Sequence, residues 1–170
     1  MKTLNIGCGP RKTPGAINLD INPDYKPDVV WNLNRFPYPF RKDEFGRVIA
    51  NHVIEHLDDW PRCMQELHRI TKNRGIIEIR VPHFSSHDAY GTIGHKNFFS
   101  TGIFRQIPGF KIIKTRLNYF LTNYKMPAYK RIISAIYSFP ANLSRIACER
   151  FWCYYVGGFA EVYVEMEVIK

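Results

Sequence analysis

A glycine turn followed by an acidic residue is the feature of this sequence best suited to binding a nucleoside. The apolar run Leu4–Ile6 stops at the turn Gly7–Gly9, where glycine allows a sharp bend and the close approach of a ligand. Asp20 lies near the end of the next predicted strand, Ala16–Ile21. A carboxylate there can accept hydrogen bonds from both hydroxyls of a ribose. The turn alone is weak evidence, because glycine turns after strands are common.

Two more polar segments fall at comparable places. Asn32 and Leu33 end a third predicted strand that begins at Asp28, and Asn51–Val53 follows a fourth, Arg47–Ala50. Because the carboxyl ends of parallel strands share one edge of a sheet, we expect all these segments to surround one ligand.

Candidate acid–base groups lie after a fifth predicted strand, Ile76–Val81. His83, His87 and His95 are half of the chain's 6 histidines. An imidazole titrates near neutral pH, so each could act as a general base; a structural hydrogen bond is the alternative for each. The spacing of these histidines and Asp88 matches no standard ligand pattern, so no metal site is predicted.

The elements that must position these residues alternate between strands and helix-length segments. A helix is predicted from about Asp58–Pro61 to a stop at Gly75, and two late strands at Phe110–Tyr119 and Glu161–Ile169. This order predicts an α/β fold with a mostly parallel sheet, an antiparallel edge strand and helices on both faces. The segment Pro10–Gly15 is too short for a first helix, so a loop must replace it.

The length of 170 residues predicts a single domain, 1–170, with a helical insertion at about 126–158 between the last two strands. The net charge is +9, and no Asp or Glu occurs from 101 to 143. That basic stretch is either a solvated face or a surface that binds anions or a membrane.

The 4 cysteines form no CxxC pair, and no signal peptide precedes the first strand, so we expect a cytoplasmic location. No apolar stretch reaches the length that a membrane span needs. The sequence does not indicate an oligomeric state.

In combination these segments resemble the class I (Rossmann-like) S-adenosylmethionine-dependent methyltransferases, and in particular a small branch with a shortened first βα unit. The resemblance rests on Leu4–Gly9, Ile17–Ile21, Asn51–Leu57 and Leu67–Gly75, and it covers about residues 3–105. The family's usual first helix is absent. Many relatives also carry Asp at the place of Asn32, although an asparagine oxygen can still accept a hydrogen bond from the adenine amino group.

The resemblance implies S-adenosyl-L-methionine as the cofactor. It implies that Gly7–Gly9 faces the methionine part, Asp20 the ribose, Asn32 and Leu33 the adenine, and Asn51 and His52 the methionine or sulfonium end. The full set of expected cofactor-binding residues is Asn5, Gly7, Cys8, Gly9, Asp20, Ile21, Asn32, Leu33, Asn51, His52 and Val53.

Methyl transfer to a small-molecule or glycan-like acceptor is the expected activity. A nucleic-acid methyltransferase is the alternative that the positive charge suggests, but no nucleic-acid-binding module is visible. A cofactor-binding protein without activity and a peripheral membrane protein of the same fold are further alternatives.

Overall fold

Seven strands form one mixed sheet in the order β3-β2-β1-β4-β5-β7-β6 in the computed structural model, which describes residues 1–122 and 126–170. The strands are β1 Thr3–Ile6, β2 Ile17–Asp20, β3 Val29–Val30, β4 Phe45–Asn51, β5 Thr71–Pro82, β6 Phe110–Asn118 and β7 Glu161–Val168. Strands β1 to β5 pair in parallel, and β7 runs antiparallel between β5 and β6. The predicted fold class is therefore confirmed.

Helices follow several of the strands. The α-helices are α1 Trp60–Ile70, α2 His87–Gly91, α3 Ala128–Leu143, α4 Arg145–Ala147 and α5 Cys153–Tyr155, with a π-helical turn at Cys148–Trp152 and 3-10 turns at Pro23–Tyr25, Ile54–His56 and Ile103–Gln106. Residues 7–16, between β1 and β2, contain turns and no helix. Within the described residues, no helix is long and apolar enough to cross a membrane.

Helix α1 begins where the sequence predicts. The carboxylate of Asp59 accepts a hydrogen bond from the Arg62 backbone N–H at 3.0 Å, which caps the first turn. One face of the helix is then buried through Cys63, Met64 and Leu67. Their helical spacing turns the apolar stripe toward the sheet.

The predicted stop of this helix at Gly75 is wrong. Helix α1 ends at Ile70, and the glycine already belongs to β5. The carbonyls of Arg69 and Ile70 accept hydrogen bonds from the backbone N–H groups of Asp43 (3.0 Å) and Glu44 (2.8 Å). Because the loop before β4 supplies hydrogen-bond donors to the last carbonyls of α1, no glycine cap is needed.

The third strand is shorter than predicted, since only Val29–Val30 pairs with β2. The side-chain oxygen of Asn32 accepts a hydrogen bond from the Asn34 N–H at 2.9 Å, which closes a turn directly after Trp31. This local bond competes with the sheet ladder and ends the strand early.

The core lies against the central strands. In β7 the predicted alternation holds for Val162, Val164 and Met166, each 0% exposed, while Glu165 is half-buried. Glu161 departs from the pattern, because it is also 0% exposed although the alternation places it on the polar face.

Candidate functional site

The carboxyl ends of β1, β2 and β4 meet at one edge of the sheet, with β1 between the other two. The strand order reverses here, and α/β sheets bind ligands at such a point. Gly7 and Gly9 turn the chain after β1 with φ values of +61° and +53°. A Cβ on Gly7 would lie 2.3 Å from Cγ2 of Val53. Glycine therefore allows this loop to pack against the residues that follow β4.

Two cavities of about 460 and 390 Å³ open at this edge and share Gly7, Gly9 and His52. Together they are lined by every residue that the sequence analysis assigns to cofactor binding. The larger cavity has Gly7, Gly9, Asp20, Ile21, Asn32, Leu33, His52 and Val53, and the smaller one adds Asn5, Cys8 and Asn51. The fold thus brings these residues together around adjoining spaces.

Asp20 is the buried acid of the larger cavity, 7% exposed. Its Oδ2 accepts a hydrogen bond from the Gly9 N–H at 2.7 Å, and its Oδ1 accepts one from the Asn22 N–H at 2.9 Å. These bonds fix the carboxylate between two loops. Each carboxylate oxygen has room for a second donor, so the group can still accept two hydroxyl hydrogen bonds.

Part of the wall of the larger cavity is apolar and aromatic. Leu33 is held there by the hydroxyl of Tyr38, which donates to its carbonyl at 3.0 Å. Trp31 and Tyr25 also line this part. Sequence reasoning missed these two aromatic residues, although both lie within a few positions of a predicted strand end. Such walls suit a planar base.

His52 is the residue where the cavities meet. Its φ is +50°, a conformation that is uncommon for residues other than glycine. Its Nε2 lies 3.2 Å from Oε2 of Glu161, and its Nδ1 lies 3.5 Å from Oε1 of Glu55. Burial opposes protonation, but the hydrogen bond to Glu161 and the nearby charge of Glu55 outweigh it and raise the pKa of His52 to about 9. A cationic imidazole therefore borders both cavities at neutral pH.

Glu161 supports that imidazole from the start of β7. Its Oε1 accepts hydrogen bonds from the Asn118 side chain at 2.9 Å and from the Thr122 backbone at 3.1 Å. Burial alone would raise the pKa of this carboxyl, but the bonds from His52 and Thr122 hold it below its usual value. Sequence reasoning missed the residue because its partner is 109 positions away.

A third cavity of about 270 Å³ shares His52 with the other two, and it shares His56 with the larger one. Glu55 and His95 form part of its wall. Glu55 is 0% exposed and neither of its side-chain oxygens makes a hydrogen bond. No sequence pattern distinguishes this glutamate from a surface residue.

The three candidate acid–base histidines lie in different environments. His95 borders the third cavity, and its Nδ1 lies 3.1 Å from the carbonyl of Ala89. The side chain of His87 is 93% exposed. His83 is 0% exposed and contacts Ser85 Oγ at 2.7 Å and Glu149 Oε1 at 3.3 Å. Of the three side chains, His95 thus borders a cavity, His87 faces solvent and His83 is buried in the core.

Another cavity, of about 610 Å³, lies apart from this edge, against Trp60 of α1 and Ile103. Its walls are mainly apolar, and its titratable side chain, His68, contacts the Ile169 carbonyl at 2.9 Å. It lacks both the glycine turn and the buried acid, so we assign it no part in nucleoside binding.

The fold is the Rossmann-like fold of class I methyltransferases. Residues 4–79 match the family model described as a methyltransferase domain, a stretch that includes β1 to β4 and most of β5. This match and the fold confirm the resemblance seen in the sequence and indicate S-adenosyl-L-methionine as the cofactor. Among curated proteins, none matches the chain.

Solved structures show the same fold at low identity. One chain, from the complex between the Haloferax volcanii Trm112 methyltransferase activator and a proposed methyltransferase, has a TM-score of 0.67 and 17% identity, covering 99% of this chain and 82% of that one. An S-adenosylmethionine-dependent methyltransferase from Archaeoglobus fulgidus has a TM-score of 0.65 and 18% identity, covering 98% and 85%. One from Mesorhizobium loti has a TM-score of 0.61 and 12% identity, covering 98% and 90%.

Proposed function

We propose that this chain is an enzyme that transfers the methyl group of S-adenosylmethionine to a small-molecule or glycan-like acceptor. The observation that carries the proposal is the gathering of the predicted cofactor-binding residues around two adjoining cavities, with a third cavity that also has His52 in its wall. The third cavity is where an acceptor would enter.

The cofactor residues fit the two ends of the nucleoside. In our proposal Asp20 accepts hydrogen bonds from the ribose hydroxyls, and Leu33 with Trp31 contacts the adenine. Asn32 can accept from the adenine amino group through the remaining lone pair of its side-chain oxygen. The cationic His52 would attract the carboxylate of the methionine part, beside Gly7–Gly9.

When bound, the cofactor supplies a methyl group on a sulfonium, which reacts by in-line displacement. Such a step depends above all on orientation, which can supply roughly 7–11 kcal/mol of the barrier reduction. His95 is placed to take a proton from an acceptor hydroxyl. Its Nδ1 donates to the Ala89 carbonyl, so the lone pair of Nε2 is free on the side facing Glu55.

A transfer assay tests this proposal. Methyl-labelled S-adenosylmethionine is incubated with the chain and with separate soluble glycan, small-metabolite, lipid and RNA fractions. We expect the label to appear in a glycan or small-metabolite fraction. His95→Ala should lower kcat without weakening cofactor binding, whereas the exposed control His87→Ala should stay active. Label in RNA alone would support the nucleic-acid alternative. Cofactor binding with no label in any fraction would support a binding protein without activity.

A second candidate function is the modification of an acceptor at a membrane surface. Along α3 the residues Ile132, Ile136, Phe139 and Leu143 are 61–72% exposed and recur at helical spacing on one face. Lys130 and Arg131 are close by, and this stretch has no acidic residue. An apolar face bordered by cations matches an anionic bilayer surface.

Vesicle sedimentation separates this second candidate from the first. Binding to vesicles with phosphatidylglycerol, weak binding to pure phosphatidylcholine and loss of binding in Phe139→Asp would support it. Equal recovery of wild type and Phe139→Asp in the supernatant would contradict it. Ile169→Asp, on an exposed residue outside the insertion, is the matched control.

The organisation of the chain is part of the same proposal. We treat 1–170 as one methyltransferase-like domain in which the segment at about 126–158 is a helical insertion beside the acceptor side. The 4 cysteines are free thiols, which supports the proposed cytoplasmic location.

A further inference from the structure

The third cavity holds a cluster of metal-ligating side chains, of which the proposed methyl transfer uses only His95. Glu55, His56 and His95 each offer one ligand atom, and these atoms lie within 4.8 Å of one another. The Nε2 of His95 is 4.0 Å from Oε1 of Glu55. The rings of His56 and His95 pack edge to face, with their centroids 4.7 Å apart. Two imidazoles and a carboxylate are a common ligand set for zinc and iron.

Both histidines are held in the orientation that a metal ligand needs. Nδ1 of His56 lies 3.0 Å from the carbonyl of Gly94, and Nδ1 of His95 lies 3.1 Å from the carbonyl of Ala89. A carbonyl oxygen only accepts, so each Nδ1 is the donor, and in the neutral imidazole this leaves the lone pair on Nε2. A ligating histidine typically donates its other N–H to such an oxygen, which fixes its tautomer.

Glu55 is the second, independent sign of a ligand. Its side chain is buried, and neither carboxylate oxygen makes a hydrogen bond. The nearest side-chain cation, His52, is 3.5 Å away at Nδ1 and is shared with Glu161. A buried carboxylate normally has close donors or a bound cation. A divalent ion between it and the two histidines would supply the missing partner.

The backbone holds this cluster in place. The N–H groups of Lys96 and Asn97 donate to the carbonyl of Glu55 at 2.8 and 3.1 Å, and the Asn97 side chain donates to the Leu57 carbonyl at 2.7 Å. These bonds fasten the loop that carries His95 to the 3-10 turn that carries Glu55. Ligands from two separate segments are thereby kept close without relying on side-chain packing alone.

We propose that Glu55, His56 and His95 bind a divalent transition-metal ion of the zinc type, with a coordination position open to the cavity. Ligand atoms around tetrahedral zinc are roughly 3.3 Å apart for bonds of about 2.0–2.1 Å. Because the three ligand atoms lie within 4.8 Å of one another, the side chains need to close by at most about 1.5 Å, a rotamer-scale movement. Asp88 borders the same cavity, and it or water completes the coordination.

The place of the site suggests its use, and this part rests on the proposed function. A divalent ion held by these residues would lower the pKa of an acceptor hydroxyl beside it, so that the hydroxyl would release its proton to solvent. The oxygen would then bond to the methyl carbon as the sulfur–carbon bond breaks, with no change in the oxidation state of the metal. With metal bound, His95 is a ligand and the metal replaces it as the group that activates the acceptor.

Metal binding is tested without the cofactor. The full chain, treated with EDTA and kept reduced, is titrated with Co²⁺ and followed by visible absorption, and with Zn²⁺ by calorimetry. We expect one saturable site, weakened at least tenfold by Glu55→Gln and by His95→Gln. The controls are Glu165→Gln and the exposed His87→Ala, which should bind like wild type. Circular dichroism identifies any variant that fails to fold, and the other ligand variant then decides.

No saturable binding, or equal binding by wild type, Glu55→Gln and His95→Gln, would overturn the metal site. Loss of binding in His87→Ala would likewise overturn it, by assigning the metal to surface histidines. Cofactor affinity is measured separately in EDTA. Metal binding with no cofactor binding refutes the proposed function alone, and the reverse result refutes the metal site alone.

Discussion

Replacement of Asp20 by Asn removes the charge that we assign to the ribose while keeping the shape of the side chain. The carboxylate now accepts from the Gly9 and Asn22 backbones and has two lone-pair positions left for hydroxyls. An amide has one acceptor oxygen, so at least one hydroxyl loses its partner. A hydrogen bond to a charged group contributes about 1.5–3 kcal/mol, which corresponds to a rise in Kd of roughly 10–150-fold.

The assay is calorimetry with S-adenosylmethionine and with S-adenosylhomocysteine. Both ligands contain the same ribose, so Asp20→Asn should weaken them equally. Asp24→Asn, on the exposed turn a few residues later, is the matched control and should bind both like wild type. Thermal unfolding shows whether the variant keeps the fold. A folded Asp20→Asn protein whose Kd lies within about threefold of wild type would refute the ribose assignment.

Three further predictions concern stability. Gly7→Ala should destabilise the fold more than Gly15→Ala, because both have positive φ but only Gly7 meets Val53; a difference below about 1 kcal/mol in denaturant unfolding would contradict this. Burial would raise the pKa of Glu149, but its bonds to His83 and Thr101 hold it below its usual value. The contribution of this carboxylate to the free energy of unfolding should be present above about pH 4.3, the pKa of an unperturbed Glu, and it should be lost as pH falls through the lowered pKa of the folded state. The free energy of unfolding of the wild type should therefore fall more steeply with acid than that of Glu149→Gln. Phe99→Ala, at a fully buried ring, should lower the free energy of unfolding by about 3–5 kcal/mol in the same measurement, whereas a loss under 1 kcal/mol would argue against that packing.

The cofactor side of the site is accessible to sequence reasoning because it is built from consecutive strand ends. The sequence predicts Gly7–Gly9, Asp20 and Asn51 at the ends of β1, β2 and β4, and parallel pairing alone brings them to one edge. The third strand is predicted less accurately. A hydrogen bond from the Asn34 backbone to the Asn32 side chain ends it early, yet Asn32 and Leu33 still line the cavity.

The residues around the third cavity are positioned by contacts between segments that are far apart in the sequence. Such contacts cannot be predicted from local sequence patterns. His83 and His95 look equivalent in one loop, but Glu149 draws the first into the core and Ala89 holds the second at the cavity. The alternating pattern of β7 predicts that Glu161 is a surface residue, but in the structure it is buried against His52. Such pairs appear only after the chain has folded.

A structure of the chain with S-adenosylhomocysteine bound tests the central claim most directly. We predict that the ribose hydroxyls donate to Asp20 and that the adenine lies between Leu33 and Trp31. The amino-acid end should lie beside Gly7–Gly9 and His52. The sulfur should then face the cavity that His95 borders. Ligand bound elsewhere, for example against Trp60, or no ligand at millimolar concentration, would contradict it.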